Sequence, residues 1–304
     1  MTPTIPKAPL PAQPGRPLPG EGVSVARRGL LAGFGATLAA GAVAPARAQQ
    51  PAGRVGRFAG TVVAITGGNS GIGAATARAF AADGARVAIS ARRDAEGRAV
   101  EAAIRAEGGE AWWTPVDVRD ATQVERWIGA VAARWGRLGV LFNNAGIFMT
   151  PGAVEEITVE NFADMMQSNV AGVFHGMKYA LLRMRAQGSG VIVNMASVAG
   201  HRGFANTAHY NATKHAVIGL TRSVAVANAR HGIRVVSISP LAVDTPMLRE
   251  SFAFQGLQAD AVAAGLVTPR IMRAEEMAAA VMMLADPRSV VTGTDLDVTG
   301  GQLA

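Results

Sequence analysis

From residue 58 onward, short apolar runs rich in β-branched residues alternate with longer segments whose apolar positions recur at helical spacing. The short runs predict seven strands: Thr61 to Thr66, Arg86 to Ser90, Ala111 to Val116, Leu138 to Phe142, Val191 to Met195, Ile233 to Ser239 and Asp295 to Val298. The longer segments predict helices near 71–83, 94–107, 120–135, 156–186, 207–230 and 273–285. Most strand runs are apolar throughout rather than at every second position, as expected of a parallel sheet covered by helices on both faces. This alternation predicts a single α/β domain over residues 58–304, with a doubly wound seven-stranded parallel sheet.

The first 57 residues break that pattern. Residues 1–26 are rich in Pro and Gly and show no periodicity, so they read as disordered. Arg27 and Arg28 then stand side by side, no charge occurs from Gly29 to Ala46, and the stretch closes on Ala46-Arg47-Ala48. A basic pair, an apolar stretch and a small-residue site are the three parts of a signal peptide, here of the twin-arginine type. The expectation is cleavage after Ala48, a short linker over 49–57 and a periplasmic mature protein; if the signal is not used, the protein stays cytoplasmic. Gly33, Gly35, Gly41 and Pro45 argue against a lasting membrane anchor.

Charge changes the picture little. The net +7 is concentrated at the front, where the first 48 residues hold five basic residues against one acidic, and no long basic run follows. Nucleic acid is therefore not an expected partner. Cysteine is absent, which removes disulfides, thiolate nucleophiles and cysteine-ligated metals, and the five histidines form no metal constellation.

The chemistry begins where the first strand ends. Val62 to Thr66 runs directly into Gly67-Gly68-Asn69-Ser70-Gly71-Ile72-Gly73 and an Ala-rich helix, the order a pyrophosphate site needs. Gly67 permits a tight turn, Gly71 lets backbone approach phosphate, and Gly73 lets the helix pack closely, while unpaired N–H groups at the helix start face the anion. The second strand ends Ser90-Ala91-Arg92-Arg93, with alanine where an NAD enzyme places a carboxylate for the ribose 2′-hydroxyl. A guanidinium there suits a 2′-phosphate, so NADP is favoured over NAD.

Tyr210 and Lys214 lie one helical turn apart, and a free phenol with a pKa of about 10 is a poor base unless a cation favours its phenolate. Ser197 closes the fifth strand at the carboxyl edge, where open α/β sheets bind ligands. With Asn169, these residues form the expected catalytic group.

Taken together, the glycine turn, Asp117-Val118, Asn143-Asn144-Ala145-Gly146, Asn169, Ser197 and Tyr210-Asn211-Ala212-Thr213-Lys214 resemble the short-chain dehydrogenase/reductase family over roughly residues 58–301. The resemblance implies a Rossmann fold and hydride transfer between a nicotinamide dinucleotide and a carbonyl or secondary alcohol. It implies that Tyr210 is the general acid/base, that Lys214 binds the nicotinamide ribose and lowers the tyrosine pKa, and that Ser197 orients the carbonyl. Asn169 would hold a water linking Lys214 to solvent. Asp117 would contact adenine, Asn143 with Ala145 and Gly146 would line the adenosine ribose, and Thr245 would contact the carboxamide, with Val118, Pro240 and Val243 nearby. Pro240-Leu241 replaces the family's Pro-Gly, Thr299 replaces its Asp, and the export signal is unusual in it.

Specificity is expected from Ile147 and Phe148, from His201 and Phe204, and from a lid over 247–267, mostly apolar residues that suit a hydrophobic or alicyclic ketone or alcohol. His209 is expected to face solvent by helical phase, and surplus apolar residues on the long helices predict a homodimer or homotetramer. Two rival readings are a non-catalytic dinucleotide-binding sensor or scaffold, and an exported oxidoreductase that recycles a tightly held NADP between two substrates.

Overall fold

A computed structural model describes residues 56–304, so the expected signal peptide and most of the expected linker lie outside the described residues. Seven parallel strands form one sheet: β1 Val62–Thr66, β2 Arg86–Ala91, β3 Glu110–Pro115, β4 Val140–Asn143, β5 Gly190–Met195, β6 Ile233–Pro240 and β7 Asp295–Val298, in the spatial order 3-2-1-4-5-6-7. Each lies within two residues of its sequence-predicted bounds. In β1 every residue is buried, because alternate side chains feed two separate cores. Val63 and Ile65 pack with Phe80, Trp113 and Val281 on one face, and Val62 and Ala64 pack with Trp127, Met177 and Val217 on the other.

The helices are α1 Gly71–Ala82, α2 Asp94–Ala106, α3 Ala121–Trp135, α4 Val159–Met166, α5 Gly172–Gln187, α6 Ala208–Asn228, α7 Pro246–Gln255, α8 Ala259–Ala264 and α9 Ala274–Ala285. Local chemistry sets many of their ends. The Asp120 carboxylate accepts from the backbone N–H groups of Thr122 and Gln123 to start α3, and Gly136 ends it in the left-handed region at φ +77. Thr245 caps α7 through its hydroxyl, with Pro246 in the first turn, where a missing N–H costs nothing. No helix among the described residues is long and apolar enough to cross a membrane.

The single helix expected over 156–186 is three pieces. Thr158 caps α4 at Val159, a π turn spans Gln167–Ala171, and α5 continues from Gly172. A Cβ on Gly172 would stand 2.7 Å from Cγ2 of Val118, so this residue lets the chain pass close to the end of β3. The predicted lid is also helical, with α7 and α8 covering most of residues 246–264.

Strand order reverses between β1 and β4, which run side by side but have their connections on opposite sides of the sheet. At such a switch point the loops at the carboxyl ends diverge and leave a crevice, and this is where the site lies.

Candidate active site

The crevice is a cleft of about 740 Å³, walled by the turns after β1 to β6 and by α7 and α8. Its floor is the glycine turn. Gly67 and Gly71 hold positive φ of +66 and +51, and a Cβ on Gly67 would lie 2.9 Å from the Ala145 backbone. The N-cap Ser70 makes no side-chain cap bond and the first turn of α1 has no acidic residue, so its N–H groups remain free for an anion. Gly67, Asn69, Ser70, Gly71 and Ile72 line the cleft. Gly73 does not: a Cβ there would meet the Gly67 carbonyl oxygen at 2.2 Å, so this glycine serves the turn's packing rather than direct contact.

At the end of β2, Ala91, Arg92 and Arg93 line one wall. Arg93 donates to Ser70 Oγ at 3.3 Å and pairs with Glu96 at 3.0 Å. With its amide turned to accept, Asn69 bonds the same guanidinium at 3.2 Å. Asp117 and Val118 line the cleft beyond β3, and the Asp117 carboxylate grips Arg119 at 2.7 Å. Burial raises the Asp117 pKa, but the hydrogen bonds and charge of Arg119 outweigh it, and with Arg92 they hold it below the usual range. Arg119 went unnoticed in the sequence, where a lone surface arginine carries no signal.

Ala145 and Gly146 line the cleft, and Asn143 does not. Its side chain is 2% exposed and donates to Oδ1 of Asn194 at 2.9 Å beneath the sheet's edge. The neighbouring Asn144 takes the cleft position and bonds the carbonyls of Thr66 and Gly67 at 3.1 Å. Strand alternation gives the reason, since adjacent residues face opposite sides. Pro240, Leu241, Val243 and Thr245 complete this wall.

Ser197, Tyr210 and Lys214 meet at the inner end. Lys214 is 6% exposed, donates from Nζ to the Met195 carbonyl at 2.9 Å and stands 5.5 Å from the Tyr210 ring centre. Phe148 packs edge-on against Tyr210 at 5.1 Å. Burial pushes the Tyr210 phenol up to about 12, opposed by the Ser197 hydroxyl, and pushes the Lys214 ammonium down to about 8. Desolvation penalises both charged forms, and what opposes it at the tyrosine is the Ser197 hydroxyl rather than the expected lysine. The phenol is held protonated, the state needed to give a proton to a carbonyl oxygen.

Asn169 is 1% exposed and lies behind the cleft wall. Its side-chain oxygen accepts from the Ile147 N–H at 2.8 Å, and its amide donates to the Ile147 carbonyl at 2.9 Å and to Thr213 Oγ1 at 3.3 Å. Both ends of the amide are therefore engaged in holding the loop after β4. The π turn that carries it is a rare element often found at functional sites.

Two histidines depart from expectation. His209 is 1% exposed, not solvent-facing, and neither ring nitrogen has a hydrogen-bond partner among the described residues. Burial lowers its pKa, which keeps it neutral and unsuited to donating a proton. The loop after β4 lies over this end of α6, with the Gly152 N–H donating to the Asn206 carbonyl. His201 is absent from the cleft lining, whereas Ile147, Phe148, Met149 and Phe204 form its apolar wall opposite Met247, Leu248, Phe252, Leu257, Val262 and Leu266 of the lid.

The free N–H groups, the two positive-φ glycines and the buried Lys214 fit a dinucleotide: the start of α1 would hold its pyrophosphate, and Lys214 and Tyr210 would face its nicotinamide end. When bound, the nicotinamide supplies or takes the hydride. In this arrangement Tyr210 would donate its proton to a carbonyl oxygen, Ser197 would hold that oxygen by a hydrogen bond, and the Lys214 ammonium would stabilise the phenolate left behind. In the reverse direction the phenolate takes the alcohol proton.

Comparison with known proteins agrees with this geometry. Residues 61–256 match the family model described as short chain dehydrogenase. The chain is 41% identical to levodione reductase of Leifsonia aquatica, with 82% of this chain and 96% of that protein covered. It is also 41% identical to cis-4-hydroxycyclohexanecarboxylate dehydrogenase of Sinomonas cyclohexanicum, over 81% of this chain and 98% of the relative. A crystal structure of levodione reductase superposes with a TM-score of 0.78 at 39% identity, covering 81% of this chain and 98% of its own. A structure of ElxO with NADP bound gives 0.75 at 32% identity, covering 80% and 98%. The chain therefore belongs to the short-chain dehydrogenase family and is an NAD(P)-dependent oxidoreductase that moves a hydride between nicotinamide and a ketone or alcohol carbon.

Proposed function

We propose that this protein is an NADPH-dependent reductase of alicyclic ketones, with Tyr210, Ser197 and Lys214 as its catalytic group. The observation that carries this reading is the junction of that polar group with a largely apolar cleft wall, in which Glu250, Ser251 and Gln255 of α7 are polar exceptions. A saturated ring fills such a wall while presenting one oxygen to the two hydroxyls. The relative that acts on a hydroxycyclohexanecarboxylate supports a six-membered ring.

The preference for NADP rests on the end of β2. Ala91 stands where a carboxylate would repel a 2′-phosphate, and among the described residues Arg92 makes no ion pair, which leaves its guanidinium available. The test is steady-state reduction of cyclohexane-1,4-dione with NADPH and with NADH. A kcat/KM at least about tenfold higher with NADPH, reversed in Ala91→Asp/Arg92→Ala, is the expected result. Equal use of both coenzymes by the parent protein overturns the preference.

The same reading includes export. The arginine pair and the Ala46-Arg47-Ala48 site support transport of the folded, coenzyme-loaded protein to the periplasm. No soluble nicotinamide pool is expected there, which favours a tightly held NADP recycled between two substrates. Mass spectrometry of the mature protein tests both points: a first residue of Gln49 and retained NADP are expected, and an intact Met1 in exported material overturns export.

A further inference from the structure

His201 follows Ser197 by four residues, but its ring turns away from the cleft toward β7. Its Nε2 stands 2.7 Å from Oδ2 of Asp295 and 3.3 Å from the Ser239 hydroxyl. A carboxylate only accepts, so Nε2 carries the proton and donates it to Asp295. The Asp295 side chain is 2% exposed, and its other oxygen accepts from the Ser237 hydroxyl. A nearly dry carboxylate thus has both oxygens committed, one to the middle of β6 and one to the segment that leaves the catalytic serine.

That segment is held again further along. Asn211 Nδ2 donates to the Arg202 carbonyl at 2.7 Å, and the Thr207 hydroxyl donates to the Phe204 carbonyl at 3.1 Å. Between the two anchors Phe204 reaches the cleft, with the Arg202 guanidinium 4.9 Å above its ring. Gly200 passes so close to α6 that a Cβ would stand 2.8 Å from the Lys214 carbonyl oxygen. Beyond Gly200 the backbone is exposed, and a Cβ on Gly203 would meet nothing within 4 Å, so the place of the segment up to Thr207 depends on its anchors, the first of which is the His201–Asp295 pair. Ser239, the third member, directly precedes Pro240 in the cleft wall.

We infer that His201 is a positioning residue for the substrate: through Asp295 it fixes the segment from Ser197 to Phe204, and so the spacing between the serine hydroxyl and the apolar wall. The inference rests on the proposal that an alicyclic ketone occupies this end of the cleft. The pyrophosphate end of the coenzyme site is built by the turns after β1 and β2, apart from the tether.

Three measurements on the full chain test it: hydrogen exchange across residues 198–207, NADP affinity, and kinetics with cyclohexane-1,4-dione. For His201→Ala the expected result is faster exchange in that segment, NADP affinity within about twofold, and KM for the dione raised on the order of tenfold with a smaller loss in kcat. His201→Gln, whose amide can donate to the same carboxylate, should recover most of the KM. If His201→Ala does not fold, Asp295→Asn keeps the shape while removing the charge and should move KM in the same direction by less. Unchanged exchange overturns the tether, and parallel loss of NADP affinity and KM shows a general structural role instead. If the parent protein does not turn over the dione, the substrate reading falls, and exchange with NADP affinity alone decides the tether.

Discussion

At the scale of single residues, burial rather than pairing sets the chemistry of Tyr210 and Lys214. Tyr210→Phe removes only the hydroxyl, so NADP affinity should persist while turnover falls by roughly 10²–10⁴. Coenzyme titration beside single-turnover reduction checks this, and undiminished turnover would remove Tyr210 from the mechanism. The lysine yields a second prediction about the protein without coenzyme. In the unfolded chain Lys214 gains its proton below about 10.5, and in the native state only below about 8. Between these values the unfolded state holds more protons, so stability falls as pH falls, by at most about 1.4 kcal/mol per unit. Tyr210 acts on the other side, losing its proton near 10 when unfolded and near 12 when native, so its contribution falls as pH rises through that window. Lys214→Met should therefore gain stability relative to the parent as pH drops from 10 to 8, as read from urea midpoints. Residue types were legible in the sequence because they follow fixed spacings, but the direction of a side chain was not. Asn143 and His201 each sit at the expected place in the chain and point elsewhere, the first by strand alternation and the second toward Asp295, a neighbour distant in sequence, while His209 is buried where helical phase alone predicted exposure.

Elements were legible wherever one period ran unbroken. All seven strands and the helices α1, α2, α3, α6 and α9 came from apolar patterning, and the glycine turn came from its place between strand and helix. The π turn at Gln167–Ala171 was not, because the segments on both sides keep helical periodicity and one wide turn changes the phase only locally. Glycines in two elements give contrasting predictions. Gly73→Ala sets a Cβ against the Gly67 backbone oxygen at 2.2 Å, and neither α1 nor the turn can yield without moving the anion site. A loss of about 1–3 kcal/mol in stability is expected, together with weaker NADP binding. Gly129 in α3 meets only the end of the Arg183 side chain at 3.5 Å, so Gly129→Ala should stabilise by about 0.5–1 kcal/mol. Thermal unfolding of both variants checks the pair, and an unaffected Gly73→Ala protein would mean that the turn has slack the packing does not show.

For the whole molecule, the sheet order places the site at the switch between β1 and β4, but the order does not say what covers the outer helices. Val159 and Phe162 on α4, Phe174 and Leu182 on α5 and Val226 on α6 leave 45% or more of their surface exposed. A Phe or Leu moved from water into an interface gains about 1.5–3 kcal/mol at most, so several together provide much of what a stable dimer needs. These helices lie on the same side of the sheet, around the core that contains Met177 and Val217, and among the described residues nothing covers those side chains. A second copy of the chain is the economical partner, because a two-fold axis presents the same apolar residues from both sides. Light scattering should give a mass of two or four protomers. Phe174→Glu with Leu182→Lys should lower that mass while NADP still binds, since the coenzyme cleft opens at the carboxyl edge of the strands, away from the flanks of α4 and α5. A protein that is monomeric at micromolar concentration, or whose mass the double variant leaves unchanged, would require a different partner for this surface.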